Sequence, residues 1–135
     1  MTIQSIHVLL VDDEESVRTP LAQHLEKKYK YVVETAANAK ETLRLLNDSV
    51  YDVALIDQIL DEETDSRELI KKVRADFPAT QVIVLTGWAM DEGINFLRMG
   101  AYRYFAKPFN LEELALTIQF AAEESRTQQE RHHLA

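Results

Sequence analysis

The sequence predicts an α/β protein built on a doubly wound, five-stranded parallel sheet with five helices. Short apolar runs alternate with segments of helical spacing, five times over. The runs at 7–11, 53–56 and 81–85 are almost continuously apolar, as strands covered on both faces are, whereas half-exposed antiparallel strands would alternate. Right-handed crossovers then place helices on both sides of one sheet.

The first strand is His7-Val8-Leu9-Leu10-Val11, followed by a helix predicted over residues 14 to 29. Pro20 falls inside that helix, where it removes one main-chain hydrogen bond and bends the axis. Tyr31-Val32-Val33-Glu34-Thr35 is the second strand. Asn38 suits the N-cap of a helix over 38 to 48, whose Leu43 and Leu46 share a face. Val53-Ala54-Leu55-Ile56 is the third strand, and the helix over 65 to 76 carries the stripe Leu69, Ile70 and Val73. The fourth strand, Gln81-Val82-Ile83-Val84-Leu85, leads to a helix over 89 to 99, and Gly100 suits a left-handed C-cap behind it. Tyr102 to Ala106 is a weaker fifth strand. The last helix, over 110 to 130, has one face of Leu111, Leu114, Ile118 and Ala122, but residues 123 to 133 are almost wholly polar. Core packing is therefore expected to end near Ala122, giving a domain over 1–122 and a polar helical extension, linker or tail over 123–135.

Composition narrows the function. A chain of 135 residues with 46% hydrophobic content supplies one core and suggests one domain. A net charge of -8 without a basic patch opposes direct contact with nucleic acid. The lack of cysteine excludes disulfides, thiolate catalysis and Cys-ligated zinc. No apolar run suits a membrane span or signal peptide, so a cytoplasmic location is expected. His7, His24, His132 and His133 are too scattered to form a ligand set. The glycines, Gly87, Gly93 and Gly100, form no phosphate-cradling loop, which sets a nucleotide-binding protein aside.

In an open parallel sheet, ligands bind beyond the carboxyl ends of the strands. Strand one ends in Asp12-Asp13, strand three in Asp57, strand four in Thr86-Gly87 and strand five in Lys107-Pro108. Like-charged carboxylates ~4 Å apart repel by roughly 4 kcal/mol at an effective dielectric near 20, so a cation is needed among them. Oxygen ligands favour a hard ion, and an incomplete carboxylate set that leaves places for water and phosphate suits Mg²⁺. With such an ion and Lys107 beside it, Asp57 is placed to attack phosphorus and form an aspartyl phosphate. Mg²⁺, Lys107 and the Thr86 hydroxyl then neutralise the phosphoryl oxygens.

Val-Asp-Asp-Glu at 11 to 14, Leu-Ile-Asp at 55 to 57, Val-Leu-Thr-Gly at 84 to 87 and Gly-Ala-Tyr-Arg-Tyr-Phe-Ala-Lys-Pro-Phe at 100 to 109 together resemble a response-regulator receiver domain, the CheY-like module of two-component signalling. The resemblance runs from about Ile6 to Ala122. It implies a flavodoxin-like strand order of 2-1-3-4-5. It also implies that Asp13, Asp57 and the main-chain carbonyl of Ile59 contact Mg²⁺, with Asp12 acting through water. Asp57 would accept phosphate from a histidine kinase or phosphotransfer protein. Lys107 would bind the phosphoryl group before a cis Pro108, and Thr86 and Tyr104 would form a switch pair that alters the surface of the fourth helix, fifth strand and fifth helix. Such a module is not an enzyme beyond its own phosphotransfer and slow autodephosphorylation.

The chain departs from the family pattern at Asp61 and Ser66, where a proline and a glycine are usual; the acidic loop from Asp61 to Asp65 is expected to take a different path. Ile59 and Trp88 flank the acceptor, and their apolar side chains are expected to hinder hydrolysing water and prolong the phosphorylated state. Leu116 and Phe120 lie on the face of the last helix opposite the core stripe. They read either as partly covered surface residues or as a docking patch for a downstream protein or a second copy through the fourth helix, fifth strand and fifth helix. Two other functions use the same fold: a degenerate receiver that only binds proteins, and an aspartyl phosphohydrolase. The first would lose the acids and lysine that are present here. The second typically carries an acid two positions after the nucleophile, where this chain has Ile59. Nothing after Ala122 resembles an output domain, so signalling proceeds through the module's own surface or through a longer regulator of which it is the front.

Overall fold

In the computed structural model, residues 5–58, 66–87 and 90–134 are described, with backbone alone at 90–92 and 132–134. The elements run β1 (His7–Val11), α1 (Glu15–Tyr29), β2 (Val32–Ala36), α2 (Ala39–Asp48), β3 (Val53–Asp57), α3 (Arg67–Asp76), β4 (Gln81–Thr86), α4 (Met90–Arg98), β5 (Arg103–Ala106) and α5 (Leu111–Leu134). The strands form a single five-stranded sheet in the order β2-β1-β3-β4-β5. Every pairing is parallel. The doubly wound, flavodoxin-like fold expected from the apolar runs is the observed one.

Strand side chains alternate between faces, which divides the core into two layers. Val8, Leu10, Val53, Leu55, Ile83 and Leu85 face Ala22 and Leu25 of α1 and Leu114, Ile118 and Ala122 of α5. Leu9, Val11, Ala54, Ile56, Val82 and Val84 face Leu46 of α2, Leu69, Ile70 and Val73 of α3, and Phe96 of α4. Both layers are sealed: β1 residues 8–11, all of β3 and all of β4 are buried. Burying each large aliphatic side chain stabilises the fold by about 1.5–3 kcal/mol, so the central strands dominate the energetics.

The local signals act as their chemistry requires. The Asn38 side chain accepts a hydrogen bond from Glu41 N at 2.8 Å and caps α2. Gly100 follows α4 with φ of 104°, a conformation that favours glycine. The helix α1 continues through Pro20.

The apolar layer on α5 contains no described residue beyond Ala122, yet contact with the domain continues in polar form. Ser125 is buried. The buried Asp52 carboxylate accepts hydrogen bonds from His7 N at 2.9 Å, Arg126 Nε and Nη2 at 3.3 Å each, and Gln129 Nε2 at 3.2 Å. Arg126 Nη2 also donates to the Ser5 carbonyl at 2.6 Å. The second half of α5 is thus tied across the amino edge of the sheet rather than projecting freely. Replacing Arg126 by Ala is expected to lower stability by roughly 1–3 kcal/mol, because Asp52 keeps its burial but loses its cation; urea unfolding of the two proteins measures the difference.

Candidate functional site

Parallel strands bring distant residues to one edge. In register, Val11 pairs with Ile56, Asp57 with Leu85, and Thr86 with Ala106. Asp12, Asp57, Thr86 and Lys107 therefore end neighbouring strands at the carboxyl edge. Asp12 and Asp57 come from β1 and β3, between which the strand order reverses. That crevice is where doubly wound sheets bind ligands.

Alternation then separates these residues by role. Asp57 continues the face of Leu55, and Asp12 and Lys107 continue those of Leu10 and Phe105, all on the α1/α5 side. Thr86 continues the face of Val84, and Tyr104 lies on that same α2/α3/α4 side. The charged groups thus approach the edge from one face of the sheet, and Thr86 and Tyr104 from the other.

On the charged side, Lys107 Nζ donates to Asp57 Oδ2 in an ion pair. The Asp57 side chain is 11% exposed and that of Lys107 34% exposed. Asp12 is buried, its Oδ1 accepts a hydrogen bond from Glu14 N at 2.9 Å, and its carbonyl accepts one from Arg18 Nη1 at 2.6 Å. Burial raises the Asp12 pKa above its ordinary 3.8; the charge of Asp57 and a hydrogen bond shared with it push the same way, while the Glu14 amide and Lys107 pull it back. Asp13, one step outward, is exposed and makes no hydrogen bond or ion pair among the described residues. Among those residues no group of three or more acidic, histidine or cysteine side chains converges on one point. What meets is a pair of carboxylates with a lysine. The pair carries more negative charge than one lysine offsets, and it is built of hard oxygen donors. Such a donor set fits a divalent ion that retains water and phosphate oxygens, as Mg²⁺ does. The main chain of Ile59, the loop 61–65 and Trp88 lie outside the described residues.

On the other side, Thr86 is fully buried and its hydroxyl donates to the Gln58 carboxamide oxygen. Tyr104 is half-buried and its ring lies over Gly93 of α4, where an added Cβ would sit 2.3 Å from two ring atoms. The Lys107–Pro108 peptide is cis. Leu116 and Phe120 are 52% and 51% exposed on α5, and Ile94 and Leu97 of α4 are also exposed.

Sequence reasoning overlooked Gln58. It follows Asp57 directly and pairs with the strand that ends in Thr86, its amide donating to the Leu85 carbonyl at 2.8 Å. Extending the strand register by one residue would have found it. Ser66 N, at the start of α3, donates to the Gln58 carbonyl at 3.0 Å. Ser66 has φ of -71°, which any residue adopts, so no glycine is required there. Its hydroxyl is fully buried and finds no hydrogen-bond partner among the described residues.

A flavodoxin-like sheet with two acids and a lysine gathered at its carboxyl edge is the arrangement of a two-component signalling module. The family model described as "Response regulator receiver domain" matches residues 8–119, and the chain belongs to that family. It is 30% identical over 130 residues to a putative response regulator NtrX-like of Rickettsia felis, covering 95% of this chain and 27% of that protein. It is 34% identical over 128 residues to regulatory protein AtoC of Escherichia coli, covering 94% of this chain and 27% of that one. The chain thus spans about a quarter of the length of these relatives. Among solved structures, a CheY-like receiver domain protein from Methanospirillum hungatei superposes with a TM-score of 0.82 at 31% identity, covering 93% of this chain and 99% of that one. NtrX from Brucella abortus superposes with a TM-score of 0.84 at 27% identity, covering 98% of this chain and 30% of that one.

Two measurements follow from this geometry. In metal-free buffer the folded chain holds the Asp12 proton to higher pH than the unfolded chain, so this group's contribution to stability falls as pH rises from 3.8 through its raised folded value. Asp12→Asn keeps an acceptor for Glu14 N and removes the charge; its stability relative to the natural protein is expected to grow across that window and then level off, while Mg²⁺ stabilises it less, both read by urea unfolding. Ser66→Ala is expected to stabilise the fold by about 1 kcal/mol by removing a buried hydroxyl without a partner, as checked by thermal melting.

Proposed function

We propose that this chain is the phospho-acceptor module of a two-component system and takes a phosphoryl group on Asp57 from a histidine kinase or phosphotransfer protein. The observation that carries this reading is the Lys107–Asp57 ion pair with the Asp12 carboxylate beside it at the carboxyl edge. An Asp57 carboxylate oxygen attacks phosphorus; as that P–O bond forms, the P–N bond of the donor phosphohistidine breaks, and the imidazole nitrogen leaves with the electron pair. Lys107 follows the incoming charge from carboxylate to phosphoryl oxygen. Asp12, Asp13, Asp57 and the Ile59 carbonyl are the groups that would hold Mg²⁺. When bound, the ion offsets charge on the phosphoryl oxygens.

The new oxygens offer acceptors to the Thr86 hydroxyl, and its movement frees space toward which the Tyr104 ring can turn. Both residues lie on the α4 side, so the surface that responds is that of α4, β5 and α5. Exposed Ile94, Leu97, Leu116 and Phe120 give that surface an apolar character suited to a downstream protein or a second copy. The net charge of -8 argues that this segment does not itself hold nucleic acid. No described helix is long and apolar enough to cross a membrane; we propose that the module acts in the cytoplasm, beside a kinase. The apolar flanks Ile59 and Trp88 suit a phosphorylated state that hydrolyses slowly.

Incubation with acetyl phosphate and Mg²⁺ is expected to add one phosphoryl mass to the peptide containing Asp57, and none without the metal. Asp57→Asn should abolish the gain, and Lys107→Ala should slow it by roughly 100-fold, the usual effect of deleting one charge-stabilising donor. Equal labelling of Asp57→Asn in intact-protein mass spectrometry would exclude the assignment.

A further inference from the structure

We propose that Gln58 is the resting partner of Thr86, holding its hydroxyl on the α4 side of the sheet until a phosphoryl group competes for it. The inference rests on Asp57 being the phospho-acceptor. A threonine hydroxyl has one proton to donate, and in the structure it is given to the Gln58 carboxamide oxygen. Gln58 and Thr86 are both buried, so this bond is made away from bulk water. Both side chains continue the α2/α3/α4 face, whereas Asp57 and Lys107 continue the other. To donate to a phosphoryl oxygen on Asp57, the Thr86 hydroxyl must therefore leave Gln58.

Two further contacts make Gln58 a fixed point rather than a passing neighbour. Its main-chain amide donates to the Leu85 carbonyl at 2.8 Å, and its carbonyl accepts from Ser66 N at 3.0 Å, so the residue is anchored to β4 and to the start of α3. The main chain that carries the carboxamide is thus held in place, and burial of the side chain limits its freedom to follow Thr86 across the edge. Gln58 is a positioning residue: it acts on the phosphoryl site only through Thr86. The strength of its hold sets how far the unphosphorylated protein favours the resting arrangement of Thr86, and with it the space available to the Tyr104 ring.

Beryllofluoride with Mg²⁺ serves as the phosphoryl probe, its affinity measured from the amide resonances of Thr86 and Gly87 in the full chain. Gln58→Leu removes the acceptor, so beryllofluoride is expected to bind roughly 2- to 10-fold more tightly, the range of one net hydrogen bond. In a Thr86→Ala background the same change is expected to alter affinity less than twofold, because the residue that Gln58 holds is gone. Gln58→Met repeats the comparison if leucine disturbs the strand end. A tightening of equal size in both backgrounds, or none in either while the probe still binds, overturns the proposal and leaves the acceptor assignment standing. Failure of the natural protein to bind the probe or to be labelled by acetyl phosphate overturns both.

Discussion

The parallel pairing of β1, β3, β4 and β5 is the constraint on which the rest of the molecule depends. Because all strands point one way, residues separated by fifty positions, such as Asp57 and Lys107, end within bonding reach. The central strands buy that arrangement with sealed apolar layers on both faces, which no charged residue interrupts before the carboxyl edge. The position of the site follows: in β1, β3 and β4 the polar residues lie only at the strand ends. A one-residue slip of any strand would exchange its two faces and send the acids to the α4 side.

The electrostatics of the edge follow from that placement. Asp12 is held where burial disfavours its charge, beside a second carboxylate that disfavours it further. The fold offsets this locally, through Lys107 on Asp57 and the Glu14 amide on Asp12, rather than by moving the acids apart. A site that carries unbalanced negative charge on hard oxygen donors is suited to a divalent cation. Thr86, Gln58 and Tyr104 lie outside this charge balance on the opposite face.

Much of this was legible in the amino-acid order because apolar runs and strand-end residues are local signals. Asn38 and Gly100 marked helix ends by short-range hydrogen bonding and backbone conformation, and the observed helices begin and stop there. Asp57 and Lys107 could be brought together on paper because the parallel sheet demands it. Gln58 was not legible in the same way: a polar residue after a strand reads as the start of a loop, and only the register with β4 shows what it faces. The contacts of Asp52 were hidden for a different reason. Its partners Arg126 and Gln129 lie 74 and 77 positions away in a stretch whose hydropathy reads as solvated.

That last cluster carries the contacts of α5 past its apolar stripe. The family match closes at residue 119 and the apolar stripe of α5 at Ala122, yet Asp52, at the foot of β3, still depends on a guanidinium and an amide one to two turns farther along. A fragment trimmed to the apolar boundary would keep its oily layers intact and strand a carboxylate at the floor of the barrel-less sheet, facing only His7 N. A cut at the apolar boundary would thus pass through this polar cluster, which extends to Gln129.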